Sequence, residues 1–238
     1  MSGRILGRVV GMWRYPVKSM AGEKLAHANV GWYGFAGDRR WAFVREAHAG
    51  NSFPWLTMRR WPELVLYRPR FVQPDSPESS QTIVRTPAGF DFDVGDPMLA
   101  REFGEGVRVI KQHRGVFDTM PLSIITTQSV NNFSKLTGVD LDPLRFRPNI
   151  LVEAESEGDF PEDDWLTSVV RIGAISIRVD RRDKRCVVVN YDPHTADRDR
   201  NILATVVRER DVWLGVLGST VTPGRIEVGD AVTLEPAT

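Results

Sequence analysis

The run Val169-Val170-Arg171-Ile172-Gly173-Ala174-Ile175-Ser176-Ile177-Arg178-Val179 shows the pattern that decides the fold of this 238-residue chain. Two segments rich in β-branched residues lie on either side of Gly173-Ala174, as in strands separated by a turn. The same period of two dominates the chain, and strands are predicted at residues 5–12, 41–44, 64–71, 82–86, 107–112, 150–152, 169–172, 175–179, 187–191 and 231–234. Helical spacing predicts three short helices, at residues 97–103, 128–136 and 201–210. The sequence therefore predicts a mainly β, barrel-like fold with a few helices.

A polar, glycine-containing stretch near residues 113–121 separates two strand-rich halves of the chain. We therefore predict two domains, residues 1–113 and residues 114–238, each of them a β-barrel. The segment 73–81, rich in proline, serine and acidic residues, is predicted to be a surface loop of the first domain. Four aromatic residues are expected in the core, namely Trp32, Tyr33, Phe35 and Trp41.

Composition limits the partners and the compartment of the protein. Lys plus Arg and Asp plus Glu are equal at 31 each, so the net charge predicts neither a nucleic acid nor a membrane partner. The sequence shows no signal-peptide h-region and no apolar run long enough to span a bilayer. A single cysteine rules out a disulfide within the chain and agrees with a reducing cytoplasm. We therefore expect a cytoplasmic protein.

That cysteine, Cys186, directly follows the charged run Asp180-Arg181-Arg182-Asp183-Lys184-Arg185. Neighbouring cations favour the thiolate, which is the reactive and metal-binding form of cysteine. The apolar run Val187-Val188-Val189 that follows suits a buried structural thiol. The residue pattern alone favours the buried structural thiol and leaves the functional thiol as the alternative.

The other signatures of catalysis are absent from the sequence. The four histidines show no zinc-ligand spacing, and we find neither a phosphate-binding loop nor a nucleophile elbow. Several cations instead stand beside small polar residues in turn-like contexts: Lys18-Ser19, Arg39, Thr57-Met58-Arg59 and Arg147-Pro148-Asn149. Such groups suit a phosphate or another anion if they converge in space. Taken singly, such residues are more often solvated surface cations than members of a site.

A set of motifs, in order along nearly the whole chain, resembles the MOSC superfamily. This superfamily includes the molybdenum cofactor sulfurases and the mitochondrial amidoxime-reducing components. The motifs are Tyr15-Pro16-Val17-Lys18-Ser19-Met20, Gly37-Asp38-Arg39 with Trp41, Arg145-Phe146-Arg147-Pro148-Asn149-Ile150, Phe160-Pro161-Glu162-Asp163-Asp164-Trp165, Ile172-Gly173, Arg185-Cys186, Asp192-Pro193 and Pro223-Gly224-Arg225-Ile226 leading to Val228-Gly229-Asp230. The resemblance implies an N-terminal MOSC-associated β-barrel domain at residues 1–113 and a MOSC domain at residues 114–238.

The resemblance implies a bound molybdenum cofactor, in its Mo-molybdopterin form, with the Cys186 thiolate as a ligand to molybdenum. A thiolate is a soft ligand that suits a metal already bound by dithiolene sulfurs. Lys18, Ser19 and Arg39 match positions at the phosphate and pterin end of the cofactor. The full set of cofactor-binding positions that the resemblance assigns is Lys18, Ser19, Arg39, Thr57, Arg59, Thr126, Thr127, Arg147 and Asn149. Pyridoxal phosphate binding also accompanies the resemblance.

The activity that the resemblance implies is the reduction of small N-hydroxylated compounds. Because the chain has no further cysteine for a plant-type iron–sulfur cluster, electrons must come from a separate protein, a ferredoxin or a flavin reductase. Two alternatives stay open: a sulfur carrier with a persulfide on Cys186, or a carrier of the cofactor without turnover. A third is a cofactor-free relative that binds a phosphorylated ligand.

One position departs from the family pattern. Where the amidoxime-reducing proteins carry a small hydroxyl residue two positions before the cysteine, this chain has Lys184, a bulky cation that can contact phosphate or narrow the substrate approach. The residue that delivers protons is also undecided by sequence. The candidates are Asp118, Asp163 and His194.

Overall fold

The computed structural model describes residues 3–235 of the chain. The strands are β1 (Ile5–Arg14), β2 (Glu23–Lys24), β3 (His27–Gly31), β4 (Gly34–Phe35), β5 (Trp41–Arg45), β6 (Arg68–Phe71), β7 (Thr82–Arg85), β8 (Asp91–Asp93), β9 (Val107–Lys111), β10 (Leu122–Thr126), β11 (Ile150–Ala154), β12 (Val169–Ile172), β13 (Ile175–Lys184), β14 (Trp213–Thr222), β15 (Gly224–Glu227) and β16 (Ala231–Leu234). The α-helices are α1 (Pro97–Glu102), α2 (Thr127–Thr137) and α3 (Arg200–Arg210). The predicted mainly β class is confirmed.

Seven strands form a closed barrel in the order β11-β10-β14-β13-β12-β16-β1, and pairing of β1 with β11 completes the ring. All neighbours run antiparallel except β10 and β11. Closure leaves these strands without a free edge. The interior is filled by aliphatic side chains that are fully buried, among them Ile124, Ile150, Val170, Ile177, Val216 and Val232.

The barrel takes one of its strands from the N-terminal end of the chain. Strand β1 lies between β16 and β11, and β15 pairs with β3 outside the ring. The first predicted domain therefore contributes a strand to the barrel of the second. The boundary between residues 113 and 114 itself stays a prediction.

The remainder of the N-terminal half consists of small sheets around a second core. Strand β5 pairs with β9, and β6, β7 and β8 form a three-stranded sheet. Phe103 packs its ring against Phe43 and Tyr67, at centroid distances of 4.7 and 5.0 Å. The aspartate before α1, Asp96, accepts a hydrogen bond from the Met98 backbone amide and caps the helix.

Two predicted strands are wrong in whole or in part. The strand predicted at residues 187–191 is instead a 3-10 turn, Val187–Asn190, followed by an isolated bridge at Tyr191. Three consecutive valines do not alternate, and only Val189 among them is buried. Residues 64–66 belong to the 3-10 turn Pro62–Leu66, so the strand begins at Arg68. The sequence reasoning also missed β14, whose apolar pattern is interrupted by glycines.

The aromatic segment is only partly in the core. Phe35 is buried, but Trp32 and Tyr33 are 64% and 51% exposed. They occupy the turn between β3 and β4, and Arg114 stacks over the Tyr33 ring at 5.0 Å. The expectation that all four aromatic residues are core is therefore wrong at the turn, where no neighbouring strand covers the side chains. Among residues 3–235, none of the helices is long and apolar enough to cross a membrane.

Candidate functional site

A cavity of about 450 Å³ lies between the barrel strands β10, β13 and β14 and loops of the N-terminal half of the chain. Its wall includes the end of β13 and the residues that follow this strand. It is lined by Lys18, Ser19, Arg39, Phe53, Met58, Arg59, Phe117, Asp118, Thr119, Met120, Ser123, Arg145, Phe146, Arg147, Asn149, Asp183, Lys184, Arg185, Cys186, Val188, Val189 and Leu217. Seven of these residues are Lys or Arg and two are Asp, so the cavity carries a large excess of positive charge.

Backbone hydrogen bonds bring the separate cationic segments together. The Lys18 amide donates to the Trp41 carbonyl at 2.8 Å, and the Arg39 amide donates to the Tyr15 carbonyl at 2.6 Å. The Asn149 amide donates to the Ser123 carbonyl at 2.9 Å, which holds the third segment to the start of β10. Main-chain hydrogen bonds therefore fix the positions of the segments that carry these cations.

Three lining residues have the left-handed backbone conformation that non-glycine residues rarely adopt. The φ angles are +67° for Ser19, +50° for Arg39 and +52° for Arg147. In residues 3–235 only seven non-glycine residues have positive φ, and three of them meet in this one cavity. Such conformations cost on the order of 1 kcal/mol or more each, and they cluster at functional sites. The strain supports a ligand-binding role for this wall.

The buried carboxylate of Asp38 connects several residues of the cavity wall. Its Oδ1 accepts a hydrogen bond from the Tyr15 amide at 2.7 Å, and its Oδ2 accepts one from Asn149 Nδ2 at 3.1 Å and pairs with Arg39. Asn149 Nδ2 also donates to the Trp13 carbonyl at 3.2 Å, so both of its N–H groups are occupied within the protein. Asn149 therefore fixes the wall, and its N–H groups are not free to donate to a ligand.

Arg39 and Arg147 both stack on the ring of Tyr15, with guanidinium carbons 4.7 and 4.3 Å from its centroid. Burial lowers the pKa of Arg147 to about 10; the neighbouring Arg39 charge contributes to this decrease, and Tyr15 opposes it. The guanidinium thus stays charged at neutral pH but lacks an anionic partner of its own. Two cations held this close to each other favour an anion between them.

A second cluster joins Lys18, Asp118 and Arg59. Lys18 Nζ donates to the Val116 carbonyl at 2.9 Å and pairs with Asp118 Oδ1, while Arg59 Nη2 lies 3.3 Å from Asp118 Oδ2. Burial lowers the pKa of Lys18. Burial alone raises the pKa of Asp118, but Lys18 and Arg59 outweigh it and the net shift is downward. Asp118 is therefore an ionised carboxylate at neutral pH.

Cys186 is half-buried, and its side chain lines the cavity. Arg59 lies beside it: burial alone lowers the pKa of Arg59, but interaction with the Cys186 sulfur and with Asp118 outweighs burial and raises it. The cysteine ends the extended segment after β13 and precedes the turn Val187–Asn190. The interpretation of Cys186 as a thiol sealed among valines does not agree with this position.

Two buried arginines hold the segments around Cys186. Arg185 donates from Nε to the Leu214 carbonyl at 2.7 Å and from Nη1 to the Phe146 carbonyl at 2.8 Å. Gly215 makes room for this guanidinium, since a Cβ there would lie 2.9 Å from Arg185 Nη2. Arg145 donates from Nη1 to the Val189 carbonyl at 3.3 Å and so ties down the turn after the cysteine.

Unpaired donors in the wall test whether an anionic cofactor suits the cavity. Arg147 Nη2 and Arg145 Nε are buried and have no hydrogen-bond acceptor among residues 3–235. Buried guanidinium N–H groups without acceptors are costly, and a phosphate or a pterin oxygen supplies acceptors of the right kind. Together with the excess positive charge and the accessible thiol, they fit a phosphorylated, sulfur-ligated metal cofactor.

The structure brings together most of the residues that the sequence singled out. Lining the cavity are Lys18, Ser19, Arg39, Arg59, Arg147, Asn149 and Cys186. Thr57 is buried and directly precedes the lining residue Met58 in the chain. Its carbonyl accepts a hydrogen bond from the Arg60 amide. The hydroxyl of Thr126 donates to Glu162 and caps α2 by accepting from the Ser129 amide, while Thr127 donates to Gln128. Neither threonine lines the cavity.

Of the three sequence candidates for proton delivery, only Asp118 lines the cavity. Asp163 pairs with Arg182 and Arg210, and His194 pairs with Asp142 at 2.8 Å on the surface. Sequence reasoning missed further lining residues, among them Phe53, Phe117, Ser123, Arg145, Asp183 and Arg185. Arg145 and Arg185 stood within the quoted motifs, and the charged run before Cys186 contained Asp183, but nothing in the sequence indicated which members of that run turn inward.

Two family profiles match the chain and together cover most of it. The MOSC N-terminal beta barrel domain matches residues 6–112, and the MOSC domain matches residues 111–233. The YUAD protein from Bacillus subtilis, a solved structure, superposes over 100% of both chains with a TM-score of 0.55 at 13% identity, which shows a shared fold.

Two relatives match over most of the chain. The molybdenum cofactor sulfurase of Drosophila mojavensis is 24% identical over 86% of the chain, which spans only 30% of the length of that protein. Mitochondrial amidoxime-reducing component 1 of Mus musculus is 23% identical over 96% of the chain and 82% of its own length. The second relative is therefore matched over nearly its whole length and the first only in part.

Proposed function

The chain belongs to the MOSC domain family, and we propose on that premise that its cavity binds the molybdenum cofactor with Cys186 as a thiolate ligand to the metal. We further propose that the protein reduces N-hydroxylated compounds with electrons from a separate protein, a ferredoxin or a flavin reductase. The observation that carries the proposal is the convergence of the lone thiol with the unpaired Arg147 donor in one cationic cavity.

The cations of the wall would hold the anionic end of the cofactor. Arg39 and Arg147 carry adjacent positive charges over Tyr15, and Lys18 and Ser19 lie beside them in the lining. Arg147 offers its free Nη2, and the left-handed backbone at Ser19 and Arg39 fixes the direction of these groups before binding. A preorganised cationic wall binds an anion without the entropic cost of assembling the charges.

The role of Cys186 follows from its chemistry and its supports. Arg59 lies beside the sulfur, and the thiolate form of cysteine is the one that ligates metals. Arg145 and Arg185 hold the segments before and after it, so the sulfur is fixed as a ligand should be. When bound, the cofactor supplies the oxygen-transfer and two-electron redox chemistry, and the protein supplies binding, orientation and the shape of the cavity.

Asp118 is the group that this chain offers for moving protons in the cavity. Reduction of an N-hydroxyl group consumes two electrons and two protons and releases water. The ionised Asp118 carboxylate, held by Lys18 and Arg59, faces the cavity and is half-exposed, so it can exchange protons with solvent. Pyridoxal phosphate binding and a cytoplasmic location remain predictions from the sequence.

A second candidate function is a sulfur carrier in which Cys186 bears a persulfide. It is favoured by the similarity to the molybdenum cofactor sulfurase and by the accessibility of the thiol beside Arg59. The same cysteine serves both functions, so the two differ in what it carries. A protein with stoichiometric molybdenum supports the reductase, and a persulfide mass on a metal-free protein supports the carrier.

The test compares wild-type protein with Cys186→Ala, both produced in a host that makes the molybdenum cofactor. Molybdenum content, pterin fluorescence and turnover of benzamidoxime with a chemical reductant are measured on each. We expect stoichiometric molybdenum and turnover in the wild type and no turnover in the variant. Ser156→Ala, on an exposed loop, is the control and should behave as wild type. Undiminished turnover in Cys186→Ala would end the proposal.

A further inference from the structure

Asp183 is a carboxylate in the cavity wall to which the proposed function gives no role. It lies in β13, three residues before Cys186, and its side chain is 17% exposed. Its Oδ2 accepts a hydrogen bond from Ser123 Oγ at 3.3 Å and pairs with Arg185 Nη1 at 2.9 Å. No donor among residues 3–235 reaches its Oδ1. One oxygen of this carboxylate is therefore available to a ligand in the cavity.

The other carboxylate of the cavity differs in this respect. Both oxygens of Asp118 are engaged, Oδ1 by Lys18 and Oδ2 by Arg59. Among the described lining residues, Asp183 is therefore the one acidic side chain with a free oxygen. The rest of the wall is strongly cationic and repels positively charged ligand groups. Asp183 is the place in this wall where a hydrogen-bond donor with positive charge finds an acceptor.

A buried carboxylate at position 183 costs free energy in the protein without a ligand. Burial raises the pKa of Asp183, and the nearby Arg185 charge only partly opposes the increase. Burying an ionised group with incomplete hydrogen bonding costs free energy unless a partner arrives. Groups that are kept at such a cost inside a cleft are candidates for ligand recognition.

The chemistry of the acceptor defines the ligand group it would recognise. An amidoxime carries an amino group on the carbon that bears the N-hydroxyl nitrogen, and its reduced product, an amidine, is a cation at neutral pH. N-Oxides lack this amino group. A carboxylate oxygen accepts a hydrogen bond from such an N–H group, and the bond strengthens when the donor is charged.

We propose that Asp183 is the specificity-determining residue of this cavity, with its free Oδ1 accepting a hydrogen bond from the amino group of N-hydroxylated amidines and of the amidines formed from them. The inference rests on the proposed reductase function and deepens it. Asp183 then selects amidoximes over N-oxides of similar size, because only the former fill its free acceptor.

The experiment uses Asp183→Asn, which keeps the shape of the side chain and removes its charge. Asp180→Asn is the matched control, because Asp180 lies in the same strand outside the cavity, bonded to Ser219 and paired with Arg178. Three quantities are measured on each protein: the Kd of benzamidine by calorimetry, kcat/KM for benzamidoxime and for an aromatic N-oxide, and the molybdenum content. The benzamidine Kd does not depend on turnover.

We expect Asp183→Asn to weaken benzamidine binding and to lower kcat/KM for benzamidoxime, each by about ten-fold or more. The kcat/KM for the N-oxide and the molybdenum content should not change. Asp180→Asn should match wild type in all three. The proposal is overturned if wild type does not bind benzamidine, if the variant binds it equally well, or if both substrates and the molybdenum content fall together, which would make Asp183 a cofactor-holding residue. Absence of molybdenum from wild type contradicts the proposed function instead, while the benzamidine measurement still decides the role of Asp183.

Discussion

The two halves of strand β13 belong to physically different regions of the molecule. In the first half, Ile175, Ile177 and Val179 point into the barrel and are fully buried. The pairing with β14 shifts register once in this half, between Ser176 and Ile177, and twice beyond it, between Val179 and Arg181 and between Arg182 and Lys184. Asp183 and Lys184 at the end of the strand, and Cys186 two residues beyond it, line the cavity. One strand thus connects a dry aliphatic core to a charged site, with β-bulges at the transition.

The comparison separates the region that stabilises the fold, the barrel interior, from the region proposed to bind the cofactor, the cavity. The barrel interior is apolar and regular, and its backbone groups are paired in a closed sheet. The cavity has left-handed backbone at three non-glycine residues, neighbouring cations, and a buried Arg147 donor without an acceptor. Features that weaken a folded protein are therefore concentrated in the region that would bind the cofactor.

The largest effect on stability is expected in the barrel half of β13. Ile177→Ala removes a fully buried side chain and leaves a cavity in close-packed surroundings, which should lower the free energy of unfolding by about 2–5 kcal/mol. The control is Arg178→Ala, at the next residue of the strand, which is exposed on the outer face. This substitution should change the free energy of unfolding by no more than about 0.5 kcal/mol. Urea unfolding followed by fluorescence measures both. Equal losses for the two variants would remove the distinction between the regions.

The opposite outcome is expected in the cavity. Arg147→Met removes a buried charge that lies against Arg39 and has no acceptor for Nη2, so stability should stay within about 1 kcal/mol of wild type or increase. The same change should weaken binding of inorganic pyrophosphate to the protein about ten-fold, because a charged hydrogen bond is lost. Calorimetry measures the binding and urea unfolding the stability.

Arg108→Met, an exposed arginine of β9, controls for the loss of one positive charge. It should leave pyrophosphate binding unchanged. A strong loss of stability in Arg147→Met, with pyrophosphate binding retained, would make this arginine a structural residue.

A smaller effect concerns pH and a carboxyl group outside the cavity, Glu162. It is fully buried; its Oε2 accepts from the hydroxyls of Thr126 and Ser129, both at 2.6 Å, and its Oε1 has no partner in the described chain. Burial raises its pKa, and the nearby Asp163 charge, itself paired with arginines, raises it further against the hydroxyl bonds.

Because the folded-state pKa of Glu162 lies above the unfolded value, its contribution favours folding at acid pH and is lost as pH rises through the folded pKa. Wild type should therefore lose stability relative to Glu162→Gln as the pH rises from below the ordinary glutamate pKa of about 4.3 to neutral. Urea unfolding of both proteins across this range measures the difference. A difference that is independent of pH would show that Glu162 keeps an ordinary pKa.

Local sequence pattern predicted much of the fold. Alternating runs such as residues 169–172 and 175–179 are strands because β-branched residues at period two fit a half-buried sheet. Strand β14 escaped detection because Gly215 and Gly218 break its pattern; Gly215 has a φ of +76°, and a Cβ there would lie 2.9 Å from Arg185 Nη2. The three valines after Cys186 suggested a strand, but the hydrogen bond from Arg145 to the Val189 carbonyl holds a turn.

The site was predicted less from local pattern than from the resemblance of its motifs to a family. Lys18, Arg39 and Arg147 are far apart in the chain, and only the pairing of β1 with β11 and the main-chain contacts around Asp38 bring them together. Which members of the run before Cys186 face inward depends on the register shifts in β13, which no local pattern encodes. Asp183 was therefore visible in the sequence but not recognisable as a cavity residue.

The most direct test of the central claim is X-ray absorption at the molybdenum edge, on wild type and on Cys186→Ser purified from a host that makes the cofactor. If the thiolate faces the cofactor in this cavity, wild type shows molybdenum with sulfur ligands, and the variant shows fewer sulfur ligands or no molybdenum. Identical sulfur coordination in the two proteins would contradict the account, because the metal would then be bound without the one cysteine of the chain.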